Sequence, residues 1–255
     1  MQNNFTFSTL ILKTLASVFA GVVGSLLIVL FFILFSTALS PIMNLTENPD
    51  AYKGAVFIFL LLVMIFLTTL SGNVLSVSLN YLIEKEKYKR LTTSIYQTVV
   101  LSIIIFILFI PVYFIAKSID ISFLIFAVSL HIILSAQLTA LILEIVSNYK
   151  YSLLGVYGTG FAIILSAGIM FFLYNILSNL AILLFFALPV VWGSIAIMQG
   201  IVTLTYNGIS KIYDKDFLSI DSLYGEDYGN TIESEEDLEK VEEKDEEGAE
   251  FLRKQ

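Results

Sequence analysis

Residues 151–210 read YSLLGVYGTGFAIILSAGIMFFLYNILSNLAILLFFALPVVWGSIAIMQGIVTLTYNGIS, with no charged residue between Lys150 and Lys211. As a single helix this stretch would be about 90 Å long at about 1.5 Å per residue. That is some three times the roughly 30 Å hydrocarbon core of a bilayer, so the chain must turn back within it. Tyr174, Asn175, Ser178 and Asn179 form the polar cluster at the right distance, and two asparagines with a serine suit a tight turn. The stretch therefore reads as two membrane spans, about 156–176 and 180–206. The second is expected to kink at Pro189 and to end where Asn207 and Gly208 offer a C-terminal cap.

The same rule applied outward from this stretch places four earlier spans at about 15–39, 54–82, 95–116 and 122–146. The expected fold is all-α, a polytopic bundle of six transmembrane helices. Composition agrees: 57% of the 255 residues are hydrophobic and 14% charged, whereas soluble chains run near half apolar and a quarter charged. The first apolar stretch is too long for the core of a cleaved signal peptide, so it is read as a retained span.

The formal net charge of −8 is unevenly placed. Residues 1–205 carry eight Lys/Arg against six Asp/Glu, and residues 206–255 carry six against sixteen. Three regions follow: an interfacial N-terminal segment (1–14), a six-span domain (15–210) and an acidic tail (211–255). Residues 233–250 hold eleven Asp/Glu in eighteen, a composition that cannot bury a core and is expected to be largely disordered. The low pI belongs to this tail and points to no nucleic-acid partner.

Basic residues near span ends stay cytoplasmic. One side holds Lys13, Lys85, Lys87, Lys89, Arg90, Lys150, Lys211 and Lys215, and the other Lys53 and Lys117. Eight against two places both termini and the tail inside, in a multi-pass protein of the cytoplasmic (plasma) membrane.

Small residues four apart mark faces where helices approach closely in lipid. Span one carries Ala16-Ala20-Gly24 and Ser17-Gly21-Ser25, span five Gly158-Ala162-Ser166 with Gly155 and Thr159, and span six Ala196-Gly200. These three helices are expected to pack on one another.

Two spans carry polar residues that hydrocarbon does not tolerate unpartnered. In span two, Thr69, Gly72, Asn73, Ser76 and Asn80 follow at three- and four-residue spacing on one face. That face either lines a pathway opening to the cytoplasm or hydrogen-bonds to other helices, the second being preferred. Span four carries His131, Ser135 and Thr139 along one face, and Gln137 with Glu144 along another, more than about 100° away. Polar groups on two sides make span four the candidate central helix. His131 lies roughly 14 Å below the outer end, near the bilayer centre. It is read either as a proton relay or substrate contact, with a charge that changes near physiological pH, or as a hydrogen-bonded core histidine. Glu144 reads as a carboxylate near the helix end, snorkelling to water or pairing with Lys150. The candidate intramembrane polar site is therefore His131, Ser135, Gln137, Glu144, Asn73 and Asn80.

Enzyme chemistry finds no footing. One histidine cannot make a His-Glu-x-x-His zinc site, no cysteine exists for a thiolate ligand or nucleophile, and the glycines at 155, 158 and 160 lack a following Gly-Lys-Ser/Thr. The chain is read as non-catalytic, with no cofactor and no metal.

The run Glu84-Lys85-Glu86-Lys87 before Leu91 lies between spans two and three. With about 250 residues, six spans and both ends inside, this resembles in outline the membrane subunits of ABC-2-type exporters, whose second loop contacts an ATPase. The short turn between spans five and six departs from the re-entrant outer segment usual in that family. The resemblance implies a permease-type subunit with a partner-docking loop at Lys85, Lys87, Lys89 and Arg90. The alternative is a membrane scaffold or assembly protein that recruits a cytoplasmic partner through its tail, and an intramembrane enzyme ranks last. The expected partners are the lipid bilayer and a cytoplasmic ATPase or assembly factor.

Overall fold

A computed structural model describes residues 5–43, 54–85, 87–88, 90–146, 149–177 and 180–223. The described chain is helical throughout: α1 Phe7–Leu34, α2 Ser36–Met43, α3 Ala55–Ile83, α4 Leu91–Ile119, α5 Ile121–Val146, α6 Tyr149–Ile176 and α7 Leu180–Leu223. Six of these are long and apolar enough to cross a membrane, namely Phe7–Leu34, Ala55–Ile83, Leu91–Ile119, Ile121–Val146, Leu153–Ile176 and Ile182–Ile209. Of the four residues expected to turn between the fifth and sixth spans, Tyr174 and Asn175 are still helical at the end of α6, and 178 and 179 lie outside the described residues.

Local chemistry explains most boundaries. The Thr6 hydroxyl caps α1 by accepting the Thr9 N–H at 3.3 Å, so the helix starts at Phe7 and takes in the stretch expected to be a separate lead-in. At its far end the backbone breaks at Phe35, short of the expected residue 39, and α2 continues from Ser36. One extended residue, Asp120, joins α4 to α5. Its carboxylate accepts the Ile121 N–H at 2.7 Å, which starts the next helix where the last one ends.

The end of α7 corrects the sequence reading. Asn207 and Gly208 do not cap it, because the helix runs on to Leu223. Gly208 does not take the left-handed conformation that a glycine cap requires, and nothing lies within 4 Å of the position its β-carbon would occupy. A glycine in a helix interior costs about 1 kcal/mol against alanine, too little by itself to stop a helix. Residues 224–255, which hold most of the acidic tail, lie outside the described residues, as does Lys53.

The unit formed by residues 1–206 buries one apolar core. Ile58, Met64 and Ile65 from α3, Ile132 and Ala136 from α5, and Leu184, Leu188 and Trp192 from α7 are fully enclosed in it. Its outside is just as apolar: Phe59, Ile104, Leu108, Phe126, Ile164 and Phe171 are all exposed. An outer surface of this kind is suited to lipid and unsuited to water.

Close backbone approaches set the packing. A β-carbon on Gly21 of α1 would lie 2.5 Å from the Pro189 Cα of α7, and one on Gly24 would lie 2.9 Å from the Gly72 Cα of α3. On α6 the same construction at Gly158 meets the Gln199 Cα of α7 at 2.5 Å. Small residues on α1, α6 and α7 thus do mark contacts, with α7 against both α1 and α6. The glycine pair joining α1 to α3 is an addition, since Gly72 reads in sequence as part of a polar face. The most enclosed span is the sixth, with 67% of its most apolar window buried against 44% for the fourth. The expectation that span four is the centre therefore yields to α7, whose small residues and Trp192 reach the core from a helix that carries no charge before Lys211.

Candidate functional site

The polar residues singled out on α3 and α5 are all buried: Asn73, Ser76 and Asn80 on the first, His131, Ser135, Gln137, Thr139 and Glu144 on the second. Three- and four-residue spacing turns each set inward, and the structure joins them. Asn73 Nδ2 donates to Ser135 Oγ at 2.9 Å and to Thr139 Oγ1 at 3.3 Å. Its Oδ1 accepts the Trp192 Nε1–H at 3.0 Å. One asparagine thus ties α3, α5 and α7 with both amide ends engaged. Trp192 was not foreseen as a site residue, although it is the only tryptophan in the chain. A buried indole N–H needs an acceptor, and that requirement is the signal that would have found it.

Asn80 lies one helical turn beyond Ser76 on the same face. Its Nδ2 donates to Ser76 Oγ at 3.3 Å and to Ser17 Oγ of α1 at 3.5 Å. A further buried line on α4, Ser94, Thr98 and Ser102, escaped the sequence reading. Ser94 and Thr98 hydroxyls donate to the carbonyls four residues back, at 3.2 and 2.8 Å. Four-residue spacing was the available signal, obscured by the apolar residues around it.

His131 sits in an aromatic frame supplied by α4. Its ring stacks on Phe109 at 4.5 Å between centroids with 15° between planes, and meets Tyr113 edge-on at 5.9 Å. The Tyr113 hydroxyl and His131 Nδ1 share a hydrogen bond at 3.3 Å. Pro111, between the two aromatics, has no N–H to donate and leaves the carbonyl one turn back without its helical partner. His131 Nε2 and both amide atoms of Gln137 have no hydrogen-bond partner among the described residues.

At the end of α3 the structure builds an ion chain. Lys13 Nζ of α1 lies 2.7 Å from Glu84 Oε2, Lys87 Nζ lies 4.0 Å from the same oxygen, and Lys87 donates to Glu144 Oε1 of α5 at 2.6 Å. Lys13 is 2% exposed, Lys87 8% and Glu144 1%. Gly155 of α6 faces the Glu144 carboxylate so closely that any β-carbon there would overlap it. The Lys87 ammonium lies 5.5 Å from the Tyr88 ring, and Tyr88 packs with Tyr81, Val77 and Leu143.

The electrostatics follow from this alternation of charge. Burial by itself would raise the Glu84 carboxyl, but Lys13 and Lys87 outweigh it and hold the group below its ordinary 4.5. Burial disfavours the Lys87 ammonium too, yet Glu144, with help from Glu84, carries it above its ordinary 10.5. Burial pushes the Tyr88 phenol up.

Two readings change here. Glu144 does not snorkel to water; it is enclosed and bound to Lys87 of the loop after α3, while the side chain of Lys150 lies outside the described residues. The cation cluster at residues 85–90 divides accordingly: Lys85 and Arg90 are exposed, Lys87 is consumed inside the molecule, and Lys89 lies outside the described residues. No group of three or more His, Cys, Asp or Glu able to hold a metal occurs among the described residues. No protein-family model, curated protein or solved structure matches this chain.

Proposed function

We propose that this chain is a multi-pass protein of the cytoplasmic membrane, with both termini inside, acting as a non-catalytic permease-type subunit that works with a cytoplasmic ATPase. The observation that carries the reading is the unpartnered polar chemistry held inside an apolar bundle: Gln137 and His131 Nε2 are buried with no partner among the described residues. Each such group costs about 1–3 kcal/mol, more in hydrocarbon than in a soluble core. A helix that only fills space has no reason to keep them. A route for water or a polar solute does, because the passing molecule supplies the missing partner. The loop before α4, with Lys85 and Arg90 exposed, offers the ATPase its contact.

The test is purification of the tagged full chain from its native membranes in mild detergent, with and without ATP. An ATPase that co-elutes in a nucleotide-dependent way, and is lost in the Lys85→Glu, Arg90→Glu double variant, is the expected result. Retained binding in that variant sinks the docking loop, and absence of any ATPase sinks the permease reading.

A second reading, a scaffold or assembly protein, draws support from the Asn73 tie, in which every amide hydrogen-bonding group is engaged across three helices. It would give a large stable complex indifferent to nucleotide.

A further inference from the structure

One face of α4 is buried along most of the helix, through Ser94, Thr98, Ser102, Ile105, Phe109 and Tyr113 at three- and four-residue spacing. Its first half bears hydroxyls, and its second half holds the aromatic pair that frames His131 of α5. Most polar groups beside this face are satisfied within the fold. Ser94 and Thr98 donate to carbonyls of their own helix, and Ser135 and Thr139 of α5 accept from Asn73. Two groups are left over. Ser102 Oγ and His131 Nε2 have no hydrogen-bond partner among the described residues, although Ser102 is 1% exposed and His131 0%. From Ser102 to Tyr113 the helix rises about 16 Å at about 1.5 Å per residue, so the two groups are separate stations on one seam.

The chemistry of these groups decides what answers them. Tyr113 Oη and His131 Nδ1 share a hydrogen bond. If the phenol donates, Nε2 carries the ring proton and needs an acceptor; if Nδ1 donates, Nε2 needs a donor and the phenol proton an acceptor. Ser102 both gives and takes a hydrogen bond. A hydroxyl on the incoming molecule meets every one of these demands. A carboxylate can only accept and an ammonium can only donate, and each brings a charge.

Charge finds no counterpart along this seam. α4 carries no Asp, Glu, Lys or Arg between Arg90 and Lys117, and α5 carries none between Asp120 and Glu144. The charges enclosed at the end of α3 are joined to one another, Lys13 to Glu84 and Lys87 to Glu144. An unpaired ion in such surroundings is costly, whereas a neutral hydroxylated molecule gives up only hydrogen bonds that the seam can return. Phe109, stacked on His131, and Ile105 on the same face add apolar surface suited to the C–H side of that molecule.

We infer that the seam between α4 and α5 binds a small neutral polyol, held by His131 Nε2 at one station and by Ser102 Oγ at the other. The inference rests on the permease reading and names the class of solute that the subunit handles.

The test is saturation-transfer-difference NMR on the purified full chain in an amine-oxide detergent, which carries no sugar headgroup. Xylitol, glycerol, lactate and choline serve as probes at equal concentration. Xylitol and glycerol should receive at least about fivefold more saturation than lactate or choline. His131→Phe should cut the polyol signal at least about fivefold and Ser102→Ala at least about twofold. His131→Gln, which restores a donor and an acceptor at that place, should keep more than about half of it. Ser25→Ala removes another buried hydroxyl without a partner among the described residues, on α1 and away from the seam, and should change nothing. A polyol signal no greater than that of lactate or choline overturns the inference, and so does one that His131→Phe leaves unchanged. Equal losses in His131→Gln or Ser25→Ala would mark a general effect of packing and overturn it as well. Should His131→Phe fail to fold, Ser102→Ala decides: a twofold loss supports the seam, and an unchanged signal overturns it. Failure of polyol binding leaves the ATPase copurification unaffected, so the two readings fail separately.

Discussion

Lys87 Nζ lies 2.6 Å from Glu144 Oε1, which anchors a loop residue to a helix fifty-seven positions further along the chain. Both groups are nearly sealed from solvent. Removing one partner of a buried pair costs about 3–5 kcal/mol, whereas replacing both by apolar side chains is close to neutral. Lys87→Met and Glu144→Leu should therefore each lower the melting temperature of the detergent-purified protein sharply, and the double variant should recover most of the loss. Additive losses in this double-mutant cycle would mean that the pair is not coupled.

The glycines of α6 make a second contrast. Gly155 leaves room for the Glu144 carboxylate, while Gly160 has nothing within 4 Å of its would-be β-carbon. Gly155→Ala should destabilise by about 1–3 kcal/mol through overpacking, and the loss should vanish in a Glu144→Ser background. Gly160→Ala should be neutral or stabilise by up to about 1 kcal/mol, since alanine is the better helix former. Thermal denaturation of the four proteins decides it.

These two glycines also show where sequence reasoning stops. Gly155 reads as one member of a small-residue ridge, and its spacing to Gly158 and Thr159 carries no hint that a carboxylate from another helix fills the space beside it. The six apolar segments were legible because bilayer thickness imposes a length on each of them. The inward faces of α3 and α5 were legible because polar groups in such segments must meet protein, and three- and four-residue spacing says which side they occupy. The fate of Lys87 was not, because four cations in six residues look alike in sequence and lysine is almost never buried unless paired. Its partner on α5 is a tertiary fact. Asn207 and Gly208 misled for a different reason: cap residues permit a helix to end but do not compel it, and α7 continues through them.

Two buried amides should respond in opposite ways. Asn73 is engaged at both ends, so Asn73→Leu should cost about 1–3 kcal/mol, much of it from leaving the Trp192 N–H without its acceptor. Gln137 has no partner among the described residues, so Gln137→Leu should leave stability unchanged or raise it. Thermal denaturation in detergent reports both, and tryptophan fluorescence, with one tryptophan in the chain, should shift in the Asn73 variant alone. A loss above about 1 kcal/mol for Gln137→Leu would show that its amide is tied into the fold.

The ion chain sets a pH window. Glu84 is held below its ordinary 4.5, so the stability it contributes is complete above that value and is lost as pH falls through the lower value of the folded state. Lys87 is held above its ordinary 10.5, so its contribution is complete below that value and is lost as pH rises through the higher value of the folded state. The charged groups facing them are Lys13 and Glu144, with the Tyr88 phenol, raised by burial, beside Lys87. Between these bounds the seated loop should be indifferent to pH, and a melting temperature followed from about pH 5 to 10 should be flat where this cluster dominates. Below the acid bound it should fall, and Glu84→Gln, which has no proton to take up there, should remove that acid limb while lowering the plateau. A variant that keeps the full acid limb would place the titrating group elsewhere in the molecule.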